Sequence, residues 1–266
     1  MKLLSNVIKA LIRFVFIIIK RNEATKKYVL THVLKDEIVF FVEHDYYSHY
    51  LHIEKSCELA KKYIKSEGVL IDVGGADGTT AKIFSSYFPN TQIIIFEPLR
   101  ENNVQLRTLC RSFSQWLIIP KAVGAKKDRK TIHKAERITS SSLFPLHSGN
   151  DNNTFNNALK EVSVETIDVT TLDIECAAFP NVALLKLDVQ GYELKVLQGA
   201  IETLRKTSVI VLEMNNHNGY VGAPKYYQVD NFLRSHNFSL FDIFPSIKIN
   251  NRLMEWDCVY LRNDYL

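Results

Sequence analysis

Acidic residues sit at or beside the ends of several apolar, β-branched runs: Asp72 in "VLIDVGGADG", Glu97 in "TQIIIFEP", Asp188 in "VALLKLDVQG" and Glu213 in "SVIVLEM". A carboxylate held near a core is costly unless it is paired or does chemistry, so these positions mark a site or a set of local caps. After Asp72 the chain reads as a strand, a glycine-rich turn holding Asp77, and a helix start. Glycine at 74, 75 and 78 lets the backbone approach a ligand, and the following helix presents free N–H groups. A dinucleotide fingerprint, G-x-G-x-x-G, ending on Gly75 and Gly78 would need glycine at position 73, where Val73 stands; the spacing is instead D-x-G-x-x-x-G, through Asp72, Gly74 and Gly78. Glu97 follows the turn by about 20 residues, the distance at which an acid reaches both hydroxyls of a ribose, and Pro98 then ends the strand. Helix capping is the ordinary alternative for such a glutamate. Two acids flanking one glycine turn favour a nucleoside site.

Asp188, Glu213 and His217, the last in "EMNNHNGY", are the candidates for acid–base work. Asp188 stands first among them, because its strand is central and ends at the edge where Asp72 and Glu97 end. Its role as base, acceptor-binding group or metal ligand stays open. A loop histidine such as His217 is ordinarily a solvated surface residue. Glu193, in the first turn of the next helix, complements the helix dipole and is expected to be structural. His44, His49 and His52 in "EHDYYSHYLHIE" do not keep a ligand spacing, so no metal is expected, and Tyr46, Tyr47 and Tyr50 beside them read as packing residues.

The elements that must position these residues alternate from residue 69 onward between β-branched runs and helical stretches, the pattern of a parallel sheet covered by helices. Strands are expected at 69–73, 91–97, 116–123, 182–188 and 208–214, and helices at 54–66, 78–87, 100–111, 191–205 and 224–236. Runs at 238–244 and 257–262 lack a helix between them and read as an antiparallel hairpin. Between the third and fourth strands, alternation in "KTIHKA" and "VSVETIDV" predicts an inserted hairpin that shapes the substrate pocket. Residues 23–53 read as helix. The resulting division is an amphipathic segment at 1–22, a helical extension at 23–66 and the main domain at 67–266.

A chain of 266 residues with 46% hydrophobic and 23% charged residues has the composition of a globular protein with a sizeable core. Its charge of +4 is uneven: residues 1–35 hold eight Lys and Arg against Glu23, a balance of +7, which leaves −3 for the rest. That distribution argues against a body built to grip nucleic acid. Apolar residues at Leu3, Leu4, Val7, Ile8, Leu11, Ile12, Val15, Ile18 and Ile19 follow helical spacing, with Lys2, Lys9, Arg13 and Lys20 largely opposite. Lys9 and Arg13 interrupt the run before it reaches the ~20 apolar residues a bilayer span needs. A basic helix on a membrane surface is expected, with packing on the protein or a partner as the alternative. No A-x-A cleavage pattern follows, so the chain reads as cytoplasmic, held peripherally at the inner face of a membrane. Cys57, Cys110, Cys176 and Cys258 are far apart and read as reduced and buried; the patterns at Asn152–Thr154 and Asn237–Ser239 carry no meaning without secretion.

"DVGGADG", "FEP", "TLD" at 171–173, "LLKLDVQGYELKVLQGA" and "VLEM" occur in an order and spacing that resembles the FkbM family of S-adenosylmethionine-dependent methyltransferases, over about residues 69–215. The resemblance departs at Gln190, where many members carry an acid. It implies a Rossmann-like, seven-stranded class I methyltransferase sheet of the α/β class, with a C-terminal antiparallel hairpin and the inserted β-hairpin region. It implies S-adenosyl-L-methionine as cofactor, held at the methionine end by Asp72, Gly74 and Gly78 and at the ribose by Glu97, with Gly75, Asp77 and Pro98 in the same turns. The expected reaction is O-methylation of a sugar, glycan or other small-molecule hydroxyl. A nicotinamide-dependent oxidoreductase, opposed by Val73, and a non-catalytic membrane-associated binding module are the alternatives.

Overall fold

The computed structural model describes residues 29–34, 37–42, 48–63, 68–147, 160–249 and 252–266. The expected helix at 1–22, His44, Tyr46, Tyr47 and the Asn152–Thr154 pattern lie outside them. Two compact units are present, Met1–Leu51 and His52–Leu266. In the first, β1 (Val29–Leu34) and β2 (Glu37–Val42) pair antiparallel, with Val29 opposite Val42 and Leu34 opposite Glu37. This corrects the helix expected over 23–53: "VLTHVL" and "EIVFFV" are dense in β-branched and aromatic residues, which favour a pleated strand. Helix α1 begins at Ser48 and ends at Tyr63.

In the second unit the order is β3 (Val69–Val73), α2 (Thr79–Tyr87), β4 (Ile93–Phe96), α3 (Arg100–Leu109), β5 (Trp116–Ile119), β6 (Ala122–Val123), β7 (Asp128–Ala135) and β8 (Glu161–Thr170). There follow α4 (Leu172–Glu175), β9 (Val182–Leu187), α5 (Glu193–Gln198), α6 (Ile201–Arg205), β10 (Thr207–Asn215), α7 (Tyr226–Ser235), β11 (Phe238–Ile249) and β12 (Arg252–Arg262). Seven strands form one sheet in the order β11-β12-β10-β9-β3-β4-β5. The five from β10 to β5 run parallel, and β12 and β11 close the edge antiparallel, as the C-terminal hairpin pattern predicts. The chain is thus α/β with the seven-stranded, Rossmann-like sheet.

Period-two alternation sorts the core onto two faces. Leu70, Ile93, Ile95, Leu184, Val209 and Val211 pack under Ile53 and Cys57 of α1, Phe84 of α2 and Leu106 of α3. Ile71, Val73, Phe96, Leu185, Leu187 and Leu212 face Val196 and Leu197 of α5 and Leu233 of α7. β3 and β9 are buried along their whole length, which is why they read as continuous apolar runs. They lie side by side at the point where chain order reverses, with β4 beyond β3 and β10 beyond β9, so ligands are expected outside their carboxyl ends.

Two elements differ from the pattern expected. The run 116–123 is split because Pro120 lacks the N–H a ladder needs. β5 therefore stays in the main sheet, while β6 joins β8 and β7 in a separate three-stranded sheet, the inserted hairpin. The helix expected over 191–205 is two helices, because the Asp173 carboxylate caps the second: Oδ2 accepts Glu202 N–H at 3.1 Å and Oδ1 accepts Thr203 N–H at 2.7 Å. Thr171 accepts Ile174 N–H at 3.1 Å and starts α4, so "TLD" is a double capping element. Cys57, Cys176 and Cys258 are buried thiols as expected, whereas Cys110 is partly exposed. Among the described residues no helix is long and apolar enough to cross a membrane.

The joint between β3 and β9 depends on Gly74. Its φ is +86°, and an added Cβ would stand 2.0 Å from the backbone oxygen of Asp188. Gly222, with φ +87°, has only the Phe144 ring at 3.7 Å. Gly74→Ala is therefore expected to cost more than about 3 kcal/mol in urea denaturation, strain plus a backbone collision, and Gly222→Ala only about 1–2 kcal/mol. Equal costs would show that the close approach to Asp188 is unimportant.

Candidate active site

The turn after β3 is held against β4 by backbone bonds: Gly74 N–H and Gly75 N–H both donate to Phe96 O, at 3.0 and 3.1 Å. Glu97 completes the tie. Its Oε2 accepts Ala76 N–H at 2.9 Å and its Oε1 accepts Leu99 N–H at 2.8 Å. The glutamate is thus both the cap of α3 and the strut of the glycine turn. Burial pushes its carboxyl up, against the pull of those two N–H groups. Gly78, with φ +79°, stands before α2, whose first turn is closed by Asp77: Oδ1 accepts Thr79 N–H at 3.0 Å. Asp77 is exposed and Pro98 half-buried.

Asp72 is fully buried, and its partner is a residue the sequence reading passed over. Lys186 faces it across the β3–β9 register, with Nζ 3.2 Å from Asp72 Oδ1, 3.5 Å from Asp188 Oδ2 and 3.2 Å from Gly74 O, to which it donates. Burial raises the Asp72 carboxyl and Lys186 opposes that shift; the two carboxylates hold Lys186 charged against its own burial. Lys186 together with the Gln190 amide holds the Asp188 carboxyl below its usual range despite desolvation.

The charged row continues along the carboxyl edge. Gln190 Nε2 donates to Asp188 Oδ1 at 2.8 Å and lies 3.4 Å from Glu213 Oε2. Its Oε1 accepts the Tyr220 hydroxyl, and its backbone, at φ +55°, accepts Ser142 Oγ–H at 2.7 Å. Glu213 lies opposite Asp257, and Asn215 opposite Glu255, on β12. Burial first, then the nearby charges of Glu255 and Asp188, push Glu213 well above the ordinary carboxylate range, and Glu213 Oε1 has no hydrogen-bond partner among the described residues. Asp257 is raised in the same way, by burial and by Asp188.

Asp72, Asp188 and Glu213 are thus brought together, and Glu97 joins them through the glycine turn. His217 is not the solvated loop residue expected. It is 4% exposed; Nδ1 accepts Gly219 N–H at 2.9 Å, which places the proton of a neutral ring on Nε2, 3.6 Å from Glu255 Oε2. Glu193 is structural as expected, through a different device: Oε1 accepts Val189 N–H at 3.1 Å and Gly191 N–H at 3.2 Å, and burial raises its carboxyl to about 7. His52 lies with Nδ1 3.4 Å from Asp257 Oδ2. Among the described residues no group of metal-ligating side chains is assembled.

Lys186 was legible in principle as the only charged residue inside "VALLKL"; Asp257 and Glu255 carry no such local signal, because only the sheet brings them to this edge, and Tyr220 reaches it from the loop after β10.

The family described as Methyltransferase FkbM domain matches residues 72–240. The 2-O-methyltransferase NoeI of Sinorhizobium fredii (strain NBRC 101917 / NGR234) is 28% identical over 212 residues, covering 76% of this chain and 82% of NoeI. Among solved structures, the fibrillarin pre-rRNA processing protein of Methanococcus jannaschii superposes with a TM-score of 0.47 at 11% identity, covering 92% of each chain. The magnesium protoporphyrin IX methyltransferase of Synechocystis PCC 6803, solved with bound S-adenosylmethionine, does so with a TM-score of 0.45 at 8% identity, covering 81% of this chain and 80% of that one.

Lys186→Met leaves Asp72 buried without its counter-charge, which is expected to cost about 3–5 kcal/mol. Without Lys186 the Asp72 carboxyl, already raised by burial, is pushed further above its unfolded value, so the folded variant holds a proton over a wider range and loses more stability as pH rises. Urea denaturation of the variant is expected to give a larger deficit at pH 8 than at pH 5.5; a deficit independent of pH would contradict the pairing.

Proposed function

This chain belongs to the FkbM methyltransferase family and is a methyltransferase that takes S-adenosylmethionine as methyl donor; on that premise we propose that it methylates a hydroxyl of a sugar or glycan-type acceptor, with Glu213 as the base. Family membership decides against the oxidoreductase reading.

The donor set at the carboxyl edge fits the cofactor. S-adenosylmethionine supplies an electrophilic methyl on a sulfonium, with a ribose diol and an ammonium for the protein to hold. With the Ala76 and Leu99 N–H groups and the Asn102 side chain bonded to it, Glu97 keeps an acceptor position for a ribose hydroxyl beside the glycine turn. Asp72 Oδ2 has no hydrogen-bond partner among the described residues, and the surrounding carboxylates outnumber Lys186, which suits a cationic ligand.

Methyl transfer to an oxygen is an in-line displacement, so the residues chiefly orient the acceptor, exclude water and take its proton. One observation carries the assignment of base: Asp188 is committed to Lys186 and Gln190, whereas Glu213 has an oxygen without a hydrogen-bond partner and a raised carboxyl. A base is most effective when its pKa lies near the operating pH, which favours Glu213 over the depressed Asp188. Gln190 spans the two, so an amide rather than a third carboxylate separates them. Oxygen as acceptor atom is supported by the 2-O-methyltransferase relative. The sugar is the proposal's own step, and so is peripheral membrane attachment through residues 1–21, which rests on their basic amphipathic spacing.

Glu213→Gln is expected to lower kcat by about 10² to 10⁴-fold while leaving calorimetric binding of S-adenosylmethionine unchanged. Because Glu213 must be ionised to accept a proton and its carboxyl is raised, wild-type kcat/KM is expected to rise with pH through a value above the ordinary carboxylate range. Full activity in the variant would remove Glu213 as base. A panel of sugars and non-sugar alcohols with labelled cofactor tests the acceptor class, and methylation confined to non-sugars would overturn it. Cosedimentation with anionic vesicles is expected for the full chain and lost without residues 1–21; equal sedimentation of both would remove the attachment.

A further inference from the structure

A cavity of about 200 Å³ opens between the inserted sheet and α5, lined by Ala125, Lys126, Lys130, Val169, Tyr192 and Lys195. None of the residues of the charged row lines it. Its lining includes three lysines and one tyrosine and no acidic residue. Like charges brought to one concavity repel unless an anion sits between them. The compensation present is thin. Asp128 Oδ2 lies 3.5 Å from Lys130 Nζ, Lys195 donates to the neutral Gln198 Oε1 at 3.3 Å, and Lys126 makes no ion pair among the described residues.

The phenol is the second observation. Tyr192 is 6% exposed, its ring packed against Phe144 at 5.0 Å, yet its hydroxyl makes no hydrogen bond among the described residues. The ring is buried, but the oxygen itself is not sealed and is open to a group from outside the chain. Tyr192 lines a cavity that three lysines also line. The size limits the occupant: whole small-molecule ligands fill about 300–1,000 Å³, so this volume suits a single charged group.

We propose that this cavity is an oxyanion subsite that takes a phosphate group, with Lys126, Lys130 and Lys195 pairing its charge and the Tyr192 hydroxyl donating to it. The site is mechanically close to the catalytic loop: Tyr192 N–H donates to Val189 O at 3.3 Å, and Gln190 lies two residues before it. A phosphate carried by the acceptor would therefore be fixed relative to Asp188 and Glu213, while a free phosphate would occupy the same place independently of the reaction. The subsite deepens the proposed function in the first case and stands without it in the second.

The test is calorimetric titration of the full chain with inorganic pyrophosphate at low salt. Wild type is expected to give saturable one-site binding. The triple variant Lys126→Gln, Lys130→Gln, Lys195→Gln should bind at least about tenfold more weakly, and Tyr192→Phe about threefold more weakly. A control with the exposed Lys55, Lys82 and Lys248 changed to Gln should bind as wild type does. Equal weakening in the control, or wild-type affinity in the pocket variant, overturns the subsite. S-adenosylmethionine binding, measured on the same variants, should stay unchanged, which separates failure of this proposal from failure of the methyltransferase reading. Competition between inorganic phosphate and a phosphorylated acceptor in the methylation assay would support the subsite with the acceptor as source; binding without competition would support it with free phosphate.

Discussion

A lysine ammonium inside a parallel sheet is the constraint on which the site depends. Lys186 stands in a strand buried along its length, where an unpaired charge would cost several kcal/mol. It is tolerated because Asp72 faces it across the β3–β9 register and Asp188 follows it at the strand end. The same contacts settle what those acids can do. Lys186 opposes the rise that burial imposes on the Asp72 carboxyl, and it holds the Asp188 carboxyl below its ordinary range. The K-x-D spacing places two residues on the same face of one strand, and a third residue from the adjacent strand closes the arrangement. With Asp188 committed in this way, Glu213 is the neighbour that combines a raised carboxyl with an oxygen lacking a hydrogen-bond partner among the described residues.

The backbone is shaped to the same end. Gly74 lets the turn after β3 pass against the Asp188 carbonyl, and its own carbonyl accepts from Lys186. Glu97 spends one hydrogen bond per oxygen on the turn and on α3, so the group suited to hold a ribose also fixes the loop beneath it. Gln190, in a left-handed conformation, connects Asp188 and Glu213 to Tyr220 and, through Ser142, to the inserted region. Two hydrogen bonds thus link the insertion to the proposed base.

Much of this was readable before any coordinates. The parallel strands announce themselves as β-branched runs because both faces are buried, and the acids at their ends stand out against that background. The inserted hairpin was visible in period-two alternation. What the sequence could not show is what depends on pairing between distant strands. Asp257 and Glu255 reach the site only because β12 inserts antiparallel beside β10, and His52 only because α1 covers that face. The break between α5 and α6 is set by a carboxylate about 30 residues upstream, at Asp173, which no local propensity encodes. His217 looked like a loop residue and is buried, because Gly219 N–H and Glu255 fold around it. The β1–β2 hairpin was missed where charged residues between the strands masked their alternation.

Whether Asp72 and Lys186 act as one unit is decided by a double-mutant cycle on unfolding free energy with Asp72→Asn, Lys186→Met and the combined variant. Each single change leaves a polar group buried without its partner, and the double change removes the mismatch. The account predicts that the double variant is more stable than the sum of the single losses by at least about 2 kcal/mol. Additive losses would contradict it.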